Sequence, residues 1–267
     1  SVASRGLGDV YKRQPHGGKY DGVMGIIVPL EILRAAHEAR TTVPLELIIF
    51  AEEEGTTFNL GMLGSRAWAG TLSVEQLSNL RNRDGKSPIE AGRACGVDPD
   101  RLAADRLDAG KYIGLIEVHA EQGPAMWEKN IPLAIVTAIN GRRQFACTIR
   151  GVANHAGSTP MDYRNDALTA AAECVVELEK LPRTLSPQTV CTVGRLNVSP
   201  NALNVIADEV KFYVDFRSPS NGILEGGTQQ IQWLIETICS RRKVKADVIQ
   251  TEQLPAVAMD EKVVASL

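Results

Sequence analysis

The chain has 267 residues, 44% of them hydrophobic and 23% charged, which is the composition of a folded globular protein and excludes a disordered or fibrous one. Its 29 basic residues against 32 acidic ones leave a net charge of −3, which argues against nucleic acid or an anionic membrane as the main partner. No apolar run approaches the ~20 residues that cross a bilayer, and the five cysteines are scattered without a CxxC, as expected of small buried side chains in a reducing, cytoplasmic setting.

Residues 4–14 (SRGLGDVYKRQ) resemble a translated sequencing adapter, whose tail GATGTGTATAAGAGACAG reads Asp-Val-Tyr-Lys-Arg-Gln. Residues 1–14 are therefore expected to be foreign to the protein, and the chain to be an internal fragment of a longer one. An intact gene encoding that segment would contradict this. From 21 to 39 apolar residues recur on a helical period, with Gly25 and Pro29 predicting a kink. The run 44–51 (PLELIIFA) reads as a buried parallel strand, 65–69 and 73–81 as helices, and 88–95 and 98–104 as shorter ones, the last capped near Asp98. A second apolar strand is expected at 112–119 (YIGLIEVH). Strands alternating with helices imply an α/β layered domain with a mostly parallel sheet.

The pattern changes near Ile139. A strand over 145–150 precedes a long helix expected at 159–181 with Ser158 or Thr159 as cap, then a strand at 189–198. Residues 209–217 alternate strictly, with Val210, Phe212, Val214 and Phe216 on one face. A helix at 227–240 and a strand at 243–250 complete a β-α-β-β-α-β order, that of an inserted ferredoxin-like domain. The expected boundaries are 15–138, 139–252 and a return segment at 253–267.

Candidate chemistry collects at five places. Glu52-Glu53-Glu54-Gly55 follows the first strand, where α/β sheets bind ligands. Three crowded carboxylates call for a cation, and one left unligated beside it can act as a base; a solvated acidic turn is the bland alternative. Asp21 in GGKYDG (17–22) is either a helix cap or a ligand, and His119 in HAEQGP (119–124) suits a metal by type and place. His155 in NHAGSTPM (154–161) precedes the long helix, among donors suited to an oxyanion. Arg217, with Asn204 nearby in sequence, offers a bidentate grip on a carboxylate.

These motifs, in this order, resemble the hydantoinase/carbamoylase branch of the di-zinc aminoacylase and carboxypeptidase superfamily. The branch includes N-carbamoyl-L-amino-acid hydrolases, β-ureidopropionases and allantoate amidohydrolases. The resemblance covers 15–267. It implies that Asp21 bridges two divalent metal ions (zinc or manganese), that Glu54 and His119 each ligate one, and that Glu53 is the general base. It implies further that Gln122 contacts substrate, that His155 polarises the scissile carbonyl, typically from a partner subunit, and that Asn204 and Arg217 bind the substrate carboxylate. The partners it implies are a small ureido acid and a second copy of the chain, joined through the inserted lid domain. Two departures stand out. The family's HxD histidine falls at Val10, inside the foreign segment, and its last metal histidine would lie beyond Leu267. Weak metal binding and no useful activity are expected of a chain with only part of that shell. An aminoacylase or dipeptidase of the same superfamily and a non-catalytic dimerising protein remain as alternatives; a two-carboxylate glycosidase lacks any sugar-binding aromatic platform.

Overall fold

The computed structural model describes residues 19–267, so the adapter-like segment, Val10 and the Gly17-Gly18 pair lie outside the described residues. The chain divides into two compact units, Ser1–Leu133 and Ala134–Leu267.

The first unit contains helices α1 (Met24–Glu38), α2 (Leu63–Trp68), α3 (Val74–Asn79), α4 (Pro88–Ala94) and α5 (Ala125–Glu128). Helices α3 and α4 begin at reciprocal capping boxes, Ser73 with Gln76 and Ser87 with Glu90, which satisfy end N–H groups that would otherwise lack partners. The helix expected at 98–104 is one 3₁₀ turn at Pro99–Arg101, which the Asp98 side chain caps.

The parallel strands expected at 44–51 and 112–119 differ from what is found. Neither segment forms a strand, and there is none among the described residues of this unit. A strand exists only through its ladder, and neither segment has a strand partner here. Their apolar side chains stay open accordingly: Ile113 is 99% and Leu115 65% exposed. The two runs are tied by Tyr112, whose hydroxyl donates to Glu46 at 2.7 Å, and by Trp68, whose ring packs against Phe50 and Tyr112.

The second unit follows the β-α-β-β-α-β order. Strand β1 (Ala138–Ile139) leads into β2 (Gly141–Arg150), α6 (Ala167–Leu185), β3 (Val190–Ser199), β4 (Glu209–Ser218), α7 (Asn221–Arg241) and β5 (Lys245–Leu254). Strand β6 (Val257–Ala258) and α8 (Glu261–Ser266) end the chain. The four long strands form one antiparallel sheet in the order β3-β4-β2-β5, the ferredoxin-like arrangement. Strands β1 and β6 pair as a short antiparallel ribbon.

One sheet face carries the core. Phe145, Cys147 and Ile149 of β2 and Val210, Phe212, Val214 and Phe216 of β4 are buried beneath α6 and α7. The period of two predicted for β4 holds at every position. Helix α6 approaches on its small residues Ala167, Ala170, Ala171 and Cys174, and α7 on Leu224, Ile231 and Ile235. At Gly227 of α7 a Cβ would lie 2.4 Å from the Phe216 ring, so this glycine is the space the ring occupies.

Both long helices begin elsewhere than expected. Helix α6 starts at Ala167, capped by Asp166, whose carboxylate accepts the Leu168 and Thr169 N–H groups at 2.8 and 3.2 Å. Ser158 and Thr159 are not its cap, because Pro160 and a 3₁₀ turn at Met161–Tyr163 intervene. Helix α7 starts at Asn221, capped by Ser220, six residues before the expected start at 227. Of the cysteines, Cys147, Cys174 and Cys239 are buried and Cys191 partly so, as expected, while Cys95 is exposed. Burial pushes the Cys147 and Cys191 thiols up to about 12. Among the described residues, no helix is long and apolar enough to cross a membrane.

Candidate active site

The acidic loop is built by close backbone approach. Carbonyls 51, 52 and 53 accept in turn from the N–H groups of Gly64, Leu63 and Met62, at 3.0, 3.1 and 2.6 Å, so the loop itself caps the start of α2. The packing leaves no room for side chains. A Cβ on Gly55, whose φ is +68°, would lie 2.5 Å from the Gly61 nitrogen, and one on Gly64 would lie 2.7 Å from the Ala51 carbonyl oxygen. Glu52 adopts φ +56°, and its carboxylate accepts the Thr57 N–H at 3.0 Å and hydroxyl at 2.6 Å. The first of the three glutamates is thus occupied in holding the turn, leaving Glu53 and Glu54 for chemistry.

Asp21 and His119 come together across the unit. Asp21 lies two residues before Val23, the N-cap of α1. Gly25, the second residue of α1, allows close approach to the end of the 112–119 run, since a Cβ there would sit 3.1 Å from the Val118 carbonyl oxygen. Asp21 is 9% exposed, and its Oδ1 is 3.7 Å from His119 Nε2. His119 Nδ1 lies 2.6 Å from the Ala120 carbonyl oxygen, which can only accept, so Nδ1 carries a proton. In the neutral ring, Nε2 then presents a lone pair toward a nearly buried carboxylate. Two donors ~3.3 Å apart can share one tetrahedral ion at 2.0–2.2 Å from each, and an imidazole nitrogen oriented by a backbone carbonyl is the usual ligand form. These two residues fit a divalent cation. Among the described residues no group of three or more His, Cys, Asp or Glu side chains assembles, so Glu54 is not gathered with them.

Glu53 stands close enough to this pair to feel it. Its carboxyl is raised above the usual carboxylate range first by loss of solvation, then by the negative charges of Glu54 and Glu117; His119 opposes this and Asp21 adds to it. The residue still has an exposed surface, so crowding of the carboxyl, not enclosure of the whole side chain, is the cause. Glu117 is absent from the sequence-derived candidates. Its signal was alternation, since Glu117 and His119 share one side of an extended run. Gln122 is exposed, at φ +57°, and the adjacent Glu121 carboxylate accepts the Met126 N–H at the start of α5.

In the second unit His155 and Asn204 are brought together. Residues 154–156 run antiparallel to 204–206: His155 bridges Val205, Ala156 N–H donates to the Asn204 carbonyl at 2.9 Å, and Ile206 N–H to that of Asn154 at 2.8 Å. His155 does not stand at the start of α6. Its Nδ1 instead accepts the turn N–H groups of Gly157 and Ser158, at 3.0 and 3.2 Å. Nδ1 is therefore the acceptor, and in the neutral ring Nε2 carries the proton. The two histidines are held in opposite tautomers, His119 with a lone pair on Nε2 and His155 with a donor there.

Arg217 lies elsewhere. The loop bearing Asn204 joins β4 at Glu209, whereas Arg217 is near the other end of β4, beside the β1–β6 ribbon. At about 3.3 Å per residue, roughly 25 Å of strand separates Glu209 from Arg217. Within one chain, Asn204 and Arg217 do not converge.

Residues 137–243 match the peptidase dimerisation domain (M20_dimer). The chain is 37% identical over 250 residues to an N-carbamoyl-L-amino acid amidohydrolase of Geobacillus stearothermophilus, covering 93% of this chain and 61% of that protein. It is 33% identical to a ureidoglycolate hydrolase of Arabidopsis thaliana, covering 94% and 54%. The crystal structure of a hydantoinase/carbamoylase family amidase from Burkholderia multivorans superposes with a TM-score of 0.84 at 29% identity, over 95% of this chain and 61% of that one. The chain thus spans about three fifths of the length of such relatives. The likeness runs through both units, in sequence as in fold, and the chain belongs to the hydantoinase/carbamoylase family.

Proposed function

We propose that the whole protein is a metal-dependent amidohydrolase that cleaves the linear C–N amide bond of a ureido acid, such as an N-carbamoyl-L-amino acid, allantoate or ureidopropionate. The observation that carries this reading is the convergence of Asp21 and His119, with Glu53 beside them. Residues 15–138 and 253–267 are assigned to the catalytic domain and 139–252 to a lid and dimerisation domain. Asp21, His119 and, by the family resemblance, Glu54 would hold two divalent cations, zinc or manganese. Bound there, such ions supply an activated water and polarise the carbonyl. Glu53 takes the proton of the attacking water and returns it to the leaving nitrogen, tasks helped by surroundings that raise its proton affinity. The Nε2–H of His155 donates to the oxygen on which charge develops. Arg217 and Asn204 grip the substrate carboxylate, with Gln122 as a further contact. A carbamoyl acid would give an amino acid, ammonia and carbon dioxide.

The ~25 Å between the two ends of the lid sheet implies a division of labour. One copy supplies His155 and Asn204 to a site whose Arg217 belongs to the other, in a twofold homodimer. Mixing His155→Ala and Arg217→Ala versions of the whole protein tests this. Each alone loses ureido-acid hydrolysis. After subunit exchange the mixture recovers roughly a quarter of wild-type activity, since half the dimers are mixed and one of their two sites is intact. No recovery despite proven exchange would contradict the shared site.

A further inference from the structure

Arg217 is not a bare guanidinium. Its Nε and Nη2 donate side-on to Asp215, at 2.6 Å to Oδ1 and 3.1 Å to Oδ2. Asp215 is two residues earlier on β4, so both side chains stand on the sheet face away from the helices. On the neighbouring strand, Gln144 is the direct register partner of Asp215, and its side-chain amide donates to Oδ2 at 2.9 Å. The next register pair is Arg142 opposite Arg217. Like charges placed directly opposite repel, but each here has its own carboxylate: Glu252 for Arg142 at 2.6 Å, and Asp215 for Arg217.

A guanidinium has five N–H groups on two usable edges. The pairing with Asp215 consumes the Nε/Nη2 edge. The Nη1 group and the outer N–H of Nη2 keep the geometry that matches a second carboxylate bidentately, and no further partner holds them among the described residues. We propose that Asp215 and Gln144 are positioning residues, a relay that fixes the Arg217 guanidinium with its outer edge presented to the carboxylate of the substrate. This rests on the reading of Arg217 as the carboxylate anchor and adds how that anchor is oriented. A free arginine side chain would lose its many rotamers on binding; one already clamped loses few, so the relay acts on affinity for the carboxylate group in particular.

The test is NMR of the Arg217 Nε–H in the whole protein, titrated with an N-carbamoyl-L-amino acid and with the corresponding carboxamide. In the wild type the Nε–H is expected to give a distinct, slowly exchanging signal that moves with the acid and not with the amide. Asp215→Asn is expected to collapse that signal and to weaken the acid by about tenfold, with amide binding unaltered. Gln144→Ala, a milder change that keeps the ion pair, gives an intermediate loss and serves if Asp215→Asn misfolds. Wild-type affinity for the acid in both variants would overturn the relay and leave Arg217 as anchor. An acid that does not move the wild-type signal, or that binds Arg217→Ala equally well, would overturn the anchor itself and the relay with it.

Discussion

Replacing Glu53 by Gln is expected to lower kcat of the whole protein by about 10²–10⁴-fold, the usual worth of a positioned general base and equivalent to roughly 3–5 kcal/mol of barrier. The change keeps size and shape and removes the ability to hold a proton between two steps. It also sheds a charge that its surroundings disfavour, because poor solvation and the carboxylates of Glu54, Glu117 and Asp21 all push the Glu53 proton affinity up. The variant should therefore fold at least as well as the wild type near neutral pH and retain its metal content. Steady-state kinetics beside metal analysis and thermal unfolding separate the two effects. Unchanged turnover in a folded, metal-replete variant would remove Glu53 from the mechanism.

The second large effect concerns the lid. Phe216 is fully buried on the core face of β4, and its ring fills the space left by Gly227 of α7. Truncation to Ala is expected to cost about 3–5 kcal/mol, toward the upper end because a glycine has no side chain with which to close the gap. Against a typical domain stability of about 5–15 kcal/mol, that is enough to leave the second unit marginal. Urea unfolding followed by far-UV circular dichroism reads this as a large fall in midpoint. A loss below about 1 kcal/mol would mean that the ring is not packed as described.

How much of this was legible in the sequence depended on whether a feature is set locally. Strand β4 was readable because burial on one face imposes a period of two that Val210 to Phe216 obey without exception. The ferredoxin-like order followed from it. The start of α6 was not, because Ser158, Thr159 and Asp166 are all good caps, and only the turn after Pro160 decides among them. The start of α7, expected at 227 and found at Asn221, was not legible either, because Gly227 lies inside the helix for a tertiary reason: it leaves room for Phe216, which packs from another element. The runs 44–51 and 112–119 have the composition of buried strands, yet a strand needs neighbours, and a run's own residues do not supply them. In the site, residue type and position after the apolar runs pointed to Asp21, His119 and the acidic loop, and the family resemblance singled out Glu53 within that loop; Asp21 and His119 lie close together, and Glu53 feels the charge of both. Neither the tautomers of His119 and His155 nor the separation of Asn204 from Arg217 could be read, since each depends on which backbone groups and strand ends are adjacent in space. The Asp215–Arg217 pair was within reach: two residues apart on one strand means one face, and opposite charges there will meet.

Hydrolysis by this site requires Asp21 and His119 to hold a cation beside Glu53. The direct measurement is ammonia release from an N-carbamoyl-L-amino acid by the whole protein, as purified, after exhaustive chelation, and after return of zinc or manganese, with Asp21→Asn carried in parallel. Activity that disappears on chelation, returns with metal and cannot be restored in Asp21→Asn is the predicted outcome. Hydrolysis that continues undiminished in the metal-free protein, or that Asp21→Asn supports as well as the wild type, would contradict it.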